Sequence, residues 1–193
     1  IVFGQCLADA PLMRNVLADL ALESEAATAL ALRLARAFEA HADPAARALA
    51  RVLTPAAKFW VCKRGPALAA EAMEVLGGNG YVEDSALPRL YREMPVNSIW
   101  EGSGNVMCID VVRAVRREPE GTAALLDELA LARGVHAAFD ARARELEAML
   151  ASADDDARDG RRLAQMIATL MQAALLLRHA PGAVAGAFCA TRL

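Results

Sequence analysis

Apolar positions recur at helical spacing along almost the whole chain, and proline, glycine and capping residues divide them into segments. A capping residue at Asp9 followed by Pro11 predicts a first helix running to near His41, with Leu17, Leu20, Ala27, Leu30, Leu34 and Phe38 on one stripe. Asp43-Pro44 joins a cap to a proline at the first helical position and opens a second helix towards Leu76. Pro55 and Gly65-Pro66 lie inside it and predict a kink or a break, because proline removes an internal hydrogen bond. Gly77-Gly78 ends it with a left-handed C-terminal turn.

Residues 79–100 read as an ordered loop with one short helical turn at Leu87–Arg92, its backbone fixed by Pro88 and Pro95. Ser103 or Asn105 caps a third helix, whose apolar face is expected at Val106, Ile109, Val112 and Val115 and which ends at about Arg117. Glu118-Pro119-Glu120-Gly121 closes that helix. Two further helical stretches, about 122–152 and 157–179, flank the acidic turn Asp154-Asp155-Asp156, and a short helix follows Pro181-Gly182. Three long antiparallel helices with one elaborated loop therefore fill roughly the first 118 residues, and the rest packs beside them as an all-α helix bundle.

Composition narrows the picture. Hydrophobic residues make up 56% of the 193 but aromatics only 5%, so alanine and leucine supply the apolar surface and strand-forming residues are scarce. A net charge of −3 gives no global attraction to nucleic acid. Cys6, Cys62, Cys108 and Cys189 are widely spaced without a C-x-x-C pair, which favours reduced thiols in the cytoplasm over a zinc site or a disulfide framework. No apolar run is long enough for a membrane span. The start at Ile1-Val2-Phe3-Gly4 and the stop at Arg192-Leu193 inside an apolar run suggest a fragment of a longer protein.

Residues 71–105 hold the candidate chemistry. Gly77, Gly78, Gly80, Gly102 and Gly104 each cost about 1 kcal/mol against alanine within a helix, so close approach by a ligand or a neighbouring subunit is expected. Glu101 stands between Trp100 and Gly102 after the apolar Ile99, which suggests a buried or half-buried carboxylate with a raised pKa, suited to a general base. The competing reading is a helix-start carboxylate facing the helix dipole. His41, His136 and His179 are isolated, which argues against a metal site. Ser103 lies outside any G-x-S-x-G elbow, and Gly77-Gly78-Asn79-Gly80 lacks the dinucleotide spacing. Arg113, Arg116, Arg117, Arg158, Arg161 and Arg162 form either a basic edge or solvated helix faces.

The ordered set of an early F-G, then V-L-G-G-N-G-Y, L-x-R-E and I-W-E-G-S-G-N resembles the C-terminal α-helical domain of acyl-CoA dehydrogenases over residues 1–118. The wording M-P-V-N-S-I-W-E-G-S-G-N-V-M is most similar to the alkylation-response, AidB-like branch, which carries additional C-terminal helices; residues 119–193 would be that extension. The resemblance implies an up-and-down four-helix bundle that completes a larger subunit, with FAD between domains and reaching a neighbouring subunit. It implies oxidation of an acyl-CoA thioester by an oligomeric enzyme, dimer or tetramer, with Glu101 in the place of the α-proton base.

By the same resemblance, Gly77 and Gly78 match the diglycine against which a partner subunit's FAD adenosine packs, and Phe3 matches the phenylalanine of an R-x-x-F-G segment. Ser103 and Asn105 replace a threonine and a glutamine that contact flavin in their own subunit. Glu74 stands where the family often has glutamine near the adenosine phosphates, and a carboxylate there repels them unless paired or protonated. The arginine of R-x-x-F-G would fall one residue before Ile1, so the FAD site is incomplete and the fragment alone is expected to be inactive. The rival functions are a flavin-containing, DNA-associated alkylation-response protein with little acyl-CoA turnover, and a bland packing and oligomerisation module.

Overall fold

A computed structural model describes residues 4–152 and 157–193, so Phe3 and the Asp154–Asp156 turn lie outside the described residues. Over these residues the chain folds as nine α-helices and a short 3-10 turn: α1 Pro11–Glu39, α2 Pro44–Val75, α3 Gly78–Tyr81, α4 Leu87–Asn97, α5 Gly104–Arg117, α6 Pro119–Ala130, α7 Ala137–Ser152, α8 Gly160–His179 and α9 Gly182–Arg192. The all-α class read from the sequence holds. Pro11 opens α1 as expected, although Ala10 rather than Asp9 is its N-cap and Asp9 instead accepts a hydrogen bond from Arg14. At α2 the Asp43 carboxylate accepts from the Ala45 N–H at 3.0 Å, as its position before Pro44 predicts.

Helix α2 runs unbroken through Pro55 and Pro66, so of the kink or break expected there the break does not occur. It is embraced by α1, α4, α5, α6 and α8, and this packing outweighs the hydrogen bonds that two prolines remove. The loop expected at 79–100 is more helical than its prolines suggested. Pro88 sits in the first turn of α4 and Pro95 near its end, positions where a missing N–H or a closing turn costs little. An Arg89–Glu93 pair at 3.0 Å supports the exposed side. The single stretch expected over 122–152 is two helices, α6 and α7, separated by a turn in which Gly134 has a φ of 78°.

Two apolar stripes held only in part: Leu30 in α1 and Val112 and Val115 in α5 are buried as expected. In α1 the buried face is Leu22, Ala26, Leu30 and Ala37 with the polar Glu23, whereas Leu17 and Phe38 are exposed. In α5 the buried face is Cys108, Val111, Val112, Ala114 and Val115, and Val106 and Ile109 point outward. Both helices have apolar residues over more than one face, so period alone does not decide which face the chain itself covers.

The core is continuous across the molecule. Helix α8 packs on α1, α2, α5, α6, α7 and α9, and fourteen of its twenty residues are buried. Ion pairs tie the later helices to the earlier ones. Glu128 of α6 accepts from Arg33 of α1 at 2.6 Å and from Arg178 of α8 at 2.9 Å. The buried Glu23 of α1 accepts from Arg64 of α2 through both oxygens and from Arg192 of α9 at 2.7 Å.

Candidate functional site

The turn between α4 and α5 carries Glu101. Its backbone has a φ of 53°, and Gly102 follows at 117°, so two successive residues adopt positive φ and only one of them is glycine. For a glutamate this conformation costs about 1–2 kcal/mol, so surrounding contacts must hold it. Lys58 of α2 supplies them, because its ammonium donates to the Trp100 carbonyl at 2.8 Å and to the Gly102 carbonyl at 2.5 Å. Those acceptors flank Glu101 on both sides. The clamp therefore grips the backbone and leaves the carboxylate unconstrained.

Glu101 is exposed, which corrects the expected burial. Ile99 and Trp100 are 63% and 58% exposed, so the apolar neighbours that suggested burial face outward and do not wall in the carboxylate. Glu101 lies at the edge of an open groove of about 620 Å³ between the C-terminal end of α1, the first half of α2 and α5, lined among others by Phe38, Thr54, Lys58 and Met107. Arg51 on that wall is fully engaged. It makes a two-pronged pair with Asp110 at 2.9 Å for both bonds and donates to Glu118 at 3.0 Å, and these partners raise its already high pKa. This pair ties α2 to α5 just behind the Glu101 turn.

Ser103 is the N-cap residue of α5, but its hydroxyl makes no capping bond; its carbonyl accepts from the Met107 N–H at 3.0 Å. Asn105 is exposed, and its side-chain oxygen accepts from Arg161 of α8 at 2.8 Å. Glu101, Ser103 and Asn105 are thus brought together at one turn. Gly77, Gly78 and the exposed Glu74 are not. They lie at the far end of α2, about 26 Å from Lys58 at 1.5 Å per helical residue.

The glycines separate into two kinds. At Gly80 an added Cβ would stand 2.2 Å from the Met73 carbonyl oxygen, so the chain's own packing demands glycine there. At Gly78 an added Cβ would meet nothing within 4 Å, and internal packing makes no demand. Gly77 has similar space, with a φ of 57° and a ψ of −139°; this conformation favours glycine but is not the left-handed helical turn expected at the end of α2.

Sequence reasoning missed Lys58 and Arg51, and it placed Arg161 on a basic edge or a solvated helix face without its bond to Asn105. Lys58 had one available signal, a lone cation in the apolar run T-P-A-A-K-F-W. Among the described residues no group of histidine, cysteine and carboxylate side chains is placed to hold a metal, and all four cysteines are free. No helix among them is long and apolar enough to cross a membrane.

Comparison with known proteins gives the geometry a context. A protein from Escherichia coli (strain K12) named putative acyl-CoA dehydrogenase AidB is 46% identical over 192 residues, 100% of this chain and 35% of that protein. Acyl-CoA dehydrogenase family member 11 of Caenorhabditis elegans is 29% identical over 205 residues, covering 93% of this chain and 33% of its own length. The solved structure of C. elegans ACDH-11 in complex with C11-CoA aligns with a TM-score of 0.82 at 25% identity, over 98% of this chain and 37% of that one. The chain spans about a third of the length of these relatives. The family model for the acyl-CoA dehydrogenase C-terminal domain matches residues 1–116, and the chain belongs to the acyl-CoA dehydrogenase family.

Proposed function

We propose that this chain is the C-terminal helical part of an FAD-dependent enzyme that introduces an α,β double bond into an acyl-CoA thioester, with Glu101 as the α-proton base. The observation that carries the reading is the held turn: an exposed carboxylate in a positive-φ conformation, its flanking carbonyls clamped by Lys58, beside an open groove. Backbone strain of this kind persists where the position of a side chain matters. A Glu101 oxygen would take the α-proton as the C–H bond breaks, and the held turn would fix the backbone from which that carboxylate reaches. Bound FAD would supply the acceptor for the hydride leaving the β-carbon.

The residues present fit such a cofactor. Ser103 offers a hydroxyl with no capping bond and Asn105 an amide, both at the start of α5, whose first N–H groups are free to meet acceptor atoms. Gly78 is a glycine without an internal reason, which supports close approach by an outside group, and Gly77 lies beside it. The separation along α2 supports a divided arrangement in which the diglycine and Glu74 meet FAD held by another subunit of a dimer or tetramer. Phe3 would join the site from outside the described residues. We extend the reading to residues 119–193 as an AidB-like extension packed on the family domain, and to a cytoplasmic location, which the four free thiols support.

The full-length protein should purify with flavin and lose its visible absorbance when an acyl-CoA is added. Glu101→Gln should keep the flavin and slow bleaching by about 10²–10⁴-fold. Flavin that binds but stays oxidised across an acyl-chain series would overturn the enzymatic reading. Residues 1–193 alone are expected to give no turnover. The DNA-associated alternative gains no specific support, since Arg161, one of its cations, is directed at Asn105 and Phe59.

A further inference from the structure

We propose that Arg161 of α8 is a positioning residue for the cofactor site, fixing the Asn105 amide so that its NH2 group faces outward and can donate to an acceptor atom of the flavin. The inference rests on the flavin reading above, and it assigns a role to a residue outside the part of the chain matched by the family domain.

A guanidinium has N–H donors and no acceptor, so the Asn105 atom facing it must be the amide oxygen. The Arg161 Nε lies 2.8 Å from that oxygen. With the oxygen held, the amide nitrogen is directed to the opposite side, and Asn105 presents a donor. An asparagine without this partner would turn either way about its last torsion, which is broad and nearly two-fold.

Arg161 is itself held. Its guanidinium carbon stands 6.0 Å from the centroid of the Phe59 ring, and Phe59 is a core residue of α2. The same ring lies 3.6 Å from the Cβ that Gly104 would have, so it buttresses both the first residue of α5 and the arginine that reaches across to the second. The start of α8 is seated closely on α5. Gly160 is buried, and an added Cβ there would be 3.4 Å from the Cys108 carbonyl oxygen and from Val112. A residue immediately after that contact has little freedom to move away from Asn105.

The role differs from simple bracing. A brace would affect folding whatever side chain stood at 105, whereas a positioning residue acts through the Asn105 amide and through nothing else.

The test uses the full-length flavoprotein with Arg161→Leu, Arg161→Lys, Asn105→Leu and the Arg161→Leu/Asn105→Leu double variant, reading the FAD dissociation constant and the position of the flavin visible band. Arg161→Leu should weaken FAD binding about tenfold and shift the band, as expected when a charge-assisted hydrogen bond stops orienting a donor. Arg161→Lys, which keeps a donor, should recover part of both. In the Asn105→Leu background, Arg161→Leu should cause no further change in either, because the cycle isolates the shared interaction. Equal losses in both backgrounds, or an unchanged band and affinity in Arg161→Leu, would overturn the proposal while leaving the flavin reading intact. A wild-type protein that binds no FAD would sink both.

Discussion

Helices α8 and α4 are opposites. Fourteen of the twenty residues of α8 are buried, whereas Pro88 is the sole buried residue among the eleven of α4, which leaves Leu90, Tyr91 and Val96 exposed. Yet α4 lies within the residues matched by the family domain, and α8 lies outside them. Helices α1, α2 and α5 of the matched part share the core with α8, whereas α4 and the turn that follows it turn Leu90, Tyr91, Val96, Ile99 and Trp100 outward. In this chain the helices nearest the proposed chemistry are supported from behind by helices that take no direct part in it.

That contrast can be tested by substitution. Leu170→Ala in α8 should cost about 4 kcal/mol, since Leu170 is fully buried and the helix is enclosed on several sides; chemical denaturation would read it. A loss below 1 kcal/mol would show that α8 is less integral than its burial implies. Glu23→Gln should follow at about 3 kcal/mol, because Arg64 and Arg192 would lose a buried carboxylate that joins α1, α2 and α9.

Beyond the far end of α2, two glycines of α3 should part company. Gly80→Ala should destabilise by about 2 kcal/mol, since the Met73 carbonyl cannot yield to a Cβ. Gly78→Ala should leave the melting temperature unchanged and weaken FAD retention by the full-length protein. Equal effects of the two on stability would remove the distinction between internal and external need.

Acid should weaken the interior cross-links in a defined direction. The hydrogen bond from Arg33, then its charge and the Arg178 contacts, hold the Glu128 pKa below its ordinary value of 4.5 against the opposing effect of burial. The folded pKa is therefore the lower one, so this stabilisation is complete above the unfolded value and is lost as pH falls through the folded value. Glu128→Gln should be less stable than wild type at neutral pH and should show a shallower decline below about pH 4.5. The smallest effect belongs to α4, where Val96→Ala should change stability by no more than about 0.5 kcal/mol.

The helices were legible because their punctuation is local: Pro11, the Asp43 cap before Pro44, and the positive-φ Gly77 each act within a few residues. Faces were harder to read. Val106 and Ile109 follow the helical period as well as Val111 and Val115 do, and the period does not say whether this chain or another surface covers them. Helix α8 carries a polar line at Arg161, Arg162, Gln165, Thr169 and Gln172, but Thr169 and Gln172 are buried, so that line does not mark a solvent face along its length. The Glu101 turn was found through its wording, but its exposure and the Lys58 clamp depend on contacts 42 and 44 residues apart in sequence. No local pattern encodes such a contact.

The Lys58 clamp also bears on how this loop can evolve. Because the ammonium holds the carbonyls of Trp100 and Gly102, the shape of the turn does not depend on any bond made by the Glu101 side chain. The bonds that hold the turn ask nothing of the side chain at 101 beyond tolerance of its positive φ. A lineage could exchange the carboxylate proposed as the base, or discard it, and inherit the same loop.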